Sequence, residues 1–230
     1  MKAKLIGCAI FALSASFAAR GTDNLQDLTA RINEAAAKFQ AMSAKVRYTD
    51  YNKVIDDTTV ETGTLIMKKV RIAEVAGRID FDAPDTRKVY FHERTAEVYQ
   101  PKIKTVQIYD MGSKGEQLDR FLMIGFGTSG TELAHDYAMQ VLGSEIVNGK
   151  SSTRLELTPK IEDIKKIVSK VELWIPDAPA QPYPAQEKIF EQGGDYRLVN
   201  YSDLQINPKL AADALELKLP AGVHKEYPQR

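Results

Sequence analysis

The sequence predicts an α+β domain: a large, curved antiparallel sheet with helices packed into it. Three observations predict it. About eleven stretches of in/out alternation rich in β-branched and aromatic residues follow one another. The links between them are too short for the crossovers that parallel strands need. Only two segments carry helical spacing, so helices must pack on a sheet large enough to curl.

The first eighteen residues read as a signal peptide. Lys2 and Lys4 make a positive start, Leu5 to Leu13 a short apolar run, and Ser16-Phe17-Ala18 the small residues that signal peptidase needs. The run is about half of the roughly 20 residues that span a bilayer. Leu5-Ile6-Gly7-Cys8 also matches the box at which bacterial lipoproteins are cut and acylated. That cut would precede the apolar run instead of following it, which favours a free exported protein over an anchored one. Residues 19–230 then form a single domain, long enough for a sizeable core.

Asn24 to Met42 reads as one amphipathic helix, with Leu25, Leu28, Ile32, Ala35, Phe39 and Met42 on one stripe and Asp23 or Asn24 as cap. Strands are expected at 45–54, 59–70, 71–81, 86–92, 96–100 and 105–109. The segment from Gly115 to Asp136 breaks the rhythm: Gln117, Leu118, Phe121, Leu122 and Phe126 have helical spacing, and Glu132 to Asp136 adds a short turn of helix. Strands resume at 137–147 and 151–158, joined at Asn148-Gly149, a pair that tolerates positive φ at both positions and signals a tight hairpin. Further strands are expected at 167–175, 186–191, 197–206 and 214–219.

Composition narrows the function. Lys and Arg balance Asp and Glu at 31 each, and loss of Lys2 and Lys4 leaves a slight acidic excess with no basic patch, which argues against nucleic acid. The only cysteine, Cys8, leaves with the signal, so no disulfide or thiolate metal site is expected. His92, His135 and His224 lack metal-ligand spacing, and no G-x-S-x-G nucleophile elbow occurs. Gly125-Phe126-Gly127-Thr128-Ser129-Gly130 spells G-x-G-x-x-G, but a dinucleotide site needs a preceding strand and a following helix in a parallel unit. A link between two short helices is the better reading. No catalytic residue, metal or cofactor is expected.

The apolar side chains on successive strands, with those of the helical insertion, fit either a packed core or the lining of an apolar cavity. Methionines at 42, 111, 123 and 139 suit an adaptable lining.

Over its mature length the chain resembles the periplasmic outer-membrane lipoprotein carrier family (LolA-like, outer-membrane lipoprotein-sorting proteins). The resemblance rests on the N-terminal helix, G-T-L-I-M-K-K at Gly63 to Lys69, F-L-M-I-G-F-G from Phe121, and R-L-E-L-T-P-K at Arg154 to Lys160. Y-S-D-L-Q-I-N from Tyr201 and L-K-L-P-A-G-V at Leu217 to Val223 extend it. It implies a strongly curved antiparallel half-barrel, that is, an unclosed β-barrel, with a helical lid. It also implies a monomeric periplasmic carrier, not an enzyme, that takes lipoprotein acyl chains from an inner-membrane transporter and passes them to an outer-membrane acceptor. A sensor of the same fold, signalling to a protein partner, is the alternative. Leu65, Met67, Phe81, Phe91, Phe121, Leu122 and Phe126 would line the acyl-chain cavity. Carriers of this family have K-R-P where this chain has Lys68-Lys69-Val70, which makes Lys69 the candidate lid latch. A lysine lacks arginine's planar fork of donors, so the latch would be looser.

Overall fold

The computed structural model describes residues 24–71, 74–82, 84–112 and 122–229. The expected signal peptide, Cys8 and Phe121 lie outside these. Helix α1 (Leu25–Lys38) leads into β1 (Ala41–Asn52), β2 (Asp57–Arg71), β3 (Glu74–Phe81), β4 (Arg87–His92), β5 (Thr95–Gln100) and β6 (Thr105–Asp110). After α2 (Gly130–Asp136) come β7 (Tyr137–Val147), β8 (Lys150–Pro159), the short α3 (Glu162–Lys165), β9 (Val168–Pro176), β10 (Gln186–Glu191), β11 (Tyr196–Ile206) and β12 (His224–Glu226).

The twelve described strands form one open sheet in the order β12-β6-β5-β4-β3-β2-β1-β11-β10-β9-β8-β7. Two meanders, β1 to β6 and β7 to β11, are joined through the antiparallel pair β1·β11, in which Val46 faces Tyr201 and Tyr48 faces Val199. Asn148 and Gly149 take φ of 50° and 75°, as a tight hairpin turn between β7 and β8 requires. The tip of that hairpin reaches β11, where Asn148 Nδ2 donates to the Tyr201 carbonyl at 2.8 Å. The sheet therefore curls, and its concave face is where the helices lie.

Chain neighbours β6 and β7 sit at opposite ends of the sheet. Where the link between them is described, it packs on the concave face and contributes to the lid. Its described part begins with a helical end at 122–123 and a turn at 124–127, then enters α2. Ser129 caps α2 in a reciprocal box with Glu132, which satisfies two free backbone N–H groups. Gly130 lies so close to α1 that a Cβ would meet the Thr29 carbonyl oxygen at 2.8 Å. The glycines of the G-x-G-x-x-G string thus serve packing: the described residues just before them, 122–123, are helical, and the next strands are antiparallel.

Two expectations are corrected. The N-terminal helix stops at Lys38 instead of Met42 because Asn207 clamps its end. Asn207 Oδ1 accepts from Gln40 N–H at 2.8 Å and Ala41 N–H at 3.1 Å, while Nδ2 donates to the Lys38 carbonyl at 2.8 Å. Residues 214–219 form no strand: turns at Ala211–Ala214 and Asp213–Glu216 and the Asp213–Lys218 ion pair hold them instead. The closing strand is β12, which pairs with β6 in parallel, the one departure from antiparallel order among the described strands.

The core has two parts. Leu28 and Ile32 of α1, Ile124, and Leu133 of α2 pack on Leu155, Leu157, Val171, Leu173 and Ile175, filling the β7–β9 half. The other part gathers Phe39, Met42, Val46, Leu65, Met67, Phe91, Met123, Phe126, Tyr183 and Tyr201 around β1 to β4 and β11. Arg31 ties α1 to the β9–β10 loop by donating to the carbonyls of Pro176 and Ala180 at 2.8 and 2.9 Å. Tyr183 Oη donates to the Ala35 carbonyl at 3.0 Å.

Candidate functional site

The second part of the core encloses a cavity of about 330 Å³. Strand alternation builds its wall: Met42, Val46 and Tyr48 from β1, Leu65 and Met67 from β2, Ile79 from β3, Glu187, Ile189 and Glu191 from β10, and Arg197, Val199 and Tyr201 from β11. Within each strand the lining positions are an even number of residues apart, so they point to one face of the sheet. Ile167 and Val168 close one side, and Leu122 and Phe126 of the crossing link form the roof.

Cross-strand pairing orders these residues from mouth to depth. Arg197 is paired with Asp50 and Ile189, Val199 with Tyr48 and Glu187, Tyr201 with Val46, Leu65 with Ala44, and Met67 with Met42. Arg197 marks the mouth: its side chain is 52 % exposed and bonds Asp50 at 3.2 Å and Glu191 at 3.4 Å. Met42 and Met67 mark the depth, both fully buried. Phe126 is held against Phe39 and Tyr183, with ring centroids 6.1 Å away in each case, and edge-on to Tyr201 at 5.3 Å. The cavity is at the lower end of the roughly 300–1,000 Å³ usual for small-molecule sites and is similarly apolar.

Of the residues expected to line an acyl-chain site, Leu65, Met67, Leu122 and Phe126 meet at this cavity. Phe81 and Phe91 lie beside it. Phe81 packs edge-on against Tyr48 at 6.4 Å beneath the Arg87 guanidinium, and Phe91 covers Gly77 within the same core. Lys69 lines a second cleft of about 640 Å³, together with Asn33, Ala36, Glu132 and Asp136 of the helices. Its N–H donates to the Gln40 carbonyl at 2.8 Å, beside the end of α1.

The lining residues of β10 and β11 escaped the sequence reading, and among them Glu187 differs most in chemistry from the rest of the wall. Glu187 is only 6 % exposed, and Tyr201 Oη donates to its Oε2 at 3.2 Å. Burial pushes the Glu187 carboxyl up to about 8, with the Tyr201 hydrogen bond opposing. Burial likewise holds the Tyr201 phenol well above its ordinary range. The signal was its alternation with Ile189 and Glu191, which places it on the inner face.

Apart from these and the Arg197–Glu191 pair at the mouth, the main clusters of ionisable groups lie away from the cavity. Glu172, Arg154, Lys170 and Glu156 form an ion-pair network on β8 and β9, away from the cavity wall. His92 stacks on Tyr90 at 4.3 Å, and His135 Nδ1 lies 2.7 Å from Asp136. Among the described residues, no group of three or more His, Cys, Asp or Glu side chains could hold a metal ion. No described helix is long and apolar enough to cross a membrane.

Fold and site together define a class by architecture: an open, curved sheet with an apolar cavity beneath a helical lid. No protein-family model matches the chain, and no curated protein does. Solved structures match it at the level of fold. MucB, known from Pseudomonas aeruginosa in complex with MucA, is similar at a TM-score of 0.52 and 15% identity, over 84% of this chain and 62% of MucB. An uncharacterized conserved protein from Thermus thermophilus matches at 0.50 with 11% identity, over 88% of this chain and 98% of its own. A LolA superfamily protein from Nitrosomonas europaea matches at 0.41 with 12% identity, over 85% and 98% of the two chains.

Proposed function

We propose that this protein is a periplasmic carrier that binds lipoprotein acyl chains, or a related lipid, in the cavity under the lid and hands them on without catalysis. Residues 1–18 would direct export and be removed, and residues 19–230 would act as one monomeric domain. The observation that carries the reading is the cavity itself. An apolar space walled by alternating side chains of five strands and roofed by a chain crossing suits an aliphatic chain, which gains about 0.8 kcal/mol for each CH₂ taken from water. Leu65, Met67, Leu122 and Phe126 would touch the chain, with Phe81 and Phe91 supporting the wall. Lys69, at the cleft between β2 and the helices, would latch the lid. An inner-membrane transporter as donor and an outer-membrane acceptor complete the scheme.

Native mass spectrometry of protein purified from a bacterial periplasm tests this. Acylated species should co-purify, and their absence at every lipid load would count against a carrier. A second reading is a sensor that reports lipid to a protein partner. It is favoured by the match to MucB, a protein seen in complex with MucA. A protein partner whose affinity changes on lipid binding would select it.

A further inference from the structure

Glu187 is out of place in an otherwise oily chamber. Its Oε1 is buried and has no hydrogen-bond partner among the described residues, and its Oε2 has only the Tyr201 hydroxyl. A buried oxygen left unbonded costs stability, so a group that satisfies it binds with a matching gain. The position along the wall matters as much as the orphaned atom. Glu187 is level with Tyr48 and Val199, one step inside the Arg197 mouth. Met42 lies six residues deeper along β1, roughly 20 Å at the usual strand rise.

Resting on the carrier reading, we propose that Glu187 is the polar anchor of the cavity and selects ligands whose aliphatic chain is joined to an uncharged acyl ester or amide. The chain runs toward Met42 and Met67, the carbonyl oxygen meets Glu187 Oε1, and the remainder of the ligand leaves past Arg197 and Glu191. The carboxyl must be protonated to donate this bond. Its surroundings favour that form: Tyr48 faces it from β1 and Tyr201 from β11, both phenols held up by burial, and Leu65, Ile79, Leu122 and Phe126 present only hydrocarbon. The charged groups facing the same space, Arg197 of β11 and Glu191 of β10, are paired with each other at the mouth. A free fatty-acid carboxylate would set an anion beside a carboxyl in a dry chamber, and an ammonium would have to shed its water there, so both bind less well.

The test compares four twelve-carbon probes by calorimetry at pH 6.5: 1-lauroylglycerol, its ether analogue 1-O-dodecylglycerol, laurate and dodecylamine. Wild type should bind the ester about tenfold more tightly than the ether, the equivalent of one well-made hydrogen bond. Glu187→Leu should bring that ratio near one, while Glu187→Gln, whose amide also donates, should keep it. At pH 9.5 the wild type should lose the preference and Glu187→Gln should retain it. If Glu187→Leu does not fold, this pH comparison decides alone. Equal binding of ester and ether by wild type, a preference that survives Glu187→Leu, or tightest binding of laurate or dodecylamine overturns the inference while leaving a lipid carrier standing. If the wild type binds none of the four, the carrier reading fails and this inference with it.

Discussion

Replacing Glu187 with Gln should change how stability depends on pH more than it changes stability itself. In the folded protein burial holds the Glu187 carboxyl at about 8, against 4.5 for an ordinary glutamate. Below 4.5 both folded and unfolded chains carry the proton, and the residue adds no pH dependence. Between 4.5 and 8 the unfolded chain has lost a proton that the folded chain keeps. Stability then falls with rising pH by about 1.4 kcal/mol per pH unit. By pH 7 the wild type has lost about 3 kcal/mol through this one group, and above 8 the loss levels off. Glutamine does not titrate. The stability of Glu187→Gln relative to wild type should therefore climb by about 3 kcal/mol between pH 4.5 and 7. All other groups are shared and cancel in the difference. Urea denaturation followed by fluorescence of Trp174, the single tryptophan, measures it directly. Curves for the two proteins that run parallel across this range would refute the reasoning, because they would mean that Glu187 ionises in the folded state as it does in the unfolded one.

Two further perturbations probe the cavity and the lid. Leu65→Trp should fill the chamber from β2, abolishing binding of 1-lauroylglycerol by calorimetry while the strand pattern in circular dichroism persists. Asn207→Ala removes three hydrogen bonds at the junction of α1 and β1 and places alanine at a φ of 53°. It should cost about 1–2 kcal/mol in urea denaturation. Amide exchange of the last turn of α1 should also quicken.

Much of this architecture could be read from local pattern. Strand alternation at 59–70 and 137–147, and the Asn148-Gly149 turn, depend on neighbours in sequence, and the structure reproduces them closely. What could not be read depends on residues far apart. Nothing near Lys38 announces the end of α1, because the clamp comes from Asn207 across the sheet. Residues 214–219 alternate like a strand, yet local turns and an ion pair hold them; β12 takes the place beside β6 instead. The candidate site shows the same division. Leu65 and Met67 follow from alternation on one strand, whereas Phe81 and Phe91 share that apolar character but pack beside the cavity, Phe81 on Tyr48 and Phe91 in neighbouring core. Glu187 was missed because a charged residue in a strand is ordinarily solvated, and only the surrounding β1, β11 and roof residues make it buried.

The roof separates two residues that the sequence treats alike. Phe126 is 2 % exposed and wedged among Phe39, Tyr183 and Tyr201, so it is part of the scaffold. Leu122 is only partly buried and packs at the margin of the same core. A ligand entering through the roof meets far less resistance in displacing Leu122 than in breaking the aromatic cluster. Phe126→Ala should therefore cost about 3–5 kcal/mol of stability. Leu122→Ala should cost well under half as much and should speed release of a bound apolar dye such as N-phenyl-1-naphthylamine, measured by stopped-flow dilution. The ranking follows from burial alone, since a side chain already partly in water leaves a smaller cavity when it is cut back. If Phe126→Ala accelerated dye release with no loss of stability, the aromatic cluster would be the gate, and the lid would open from the end of the link nearest α2.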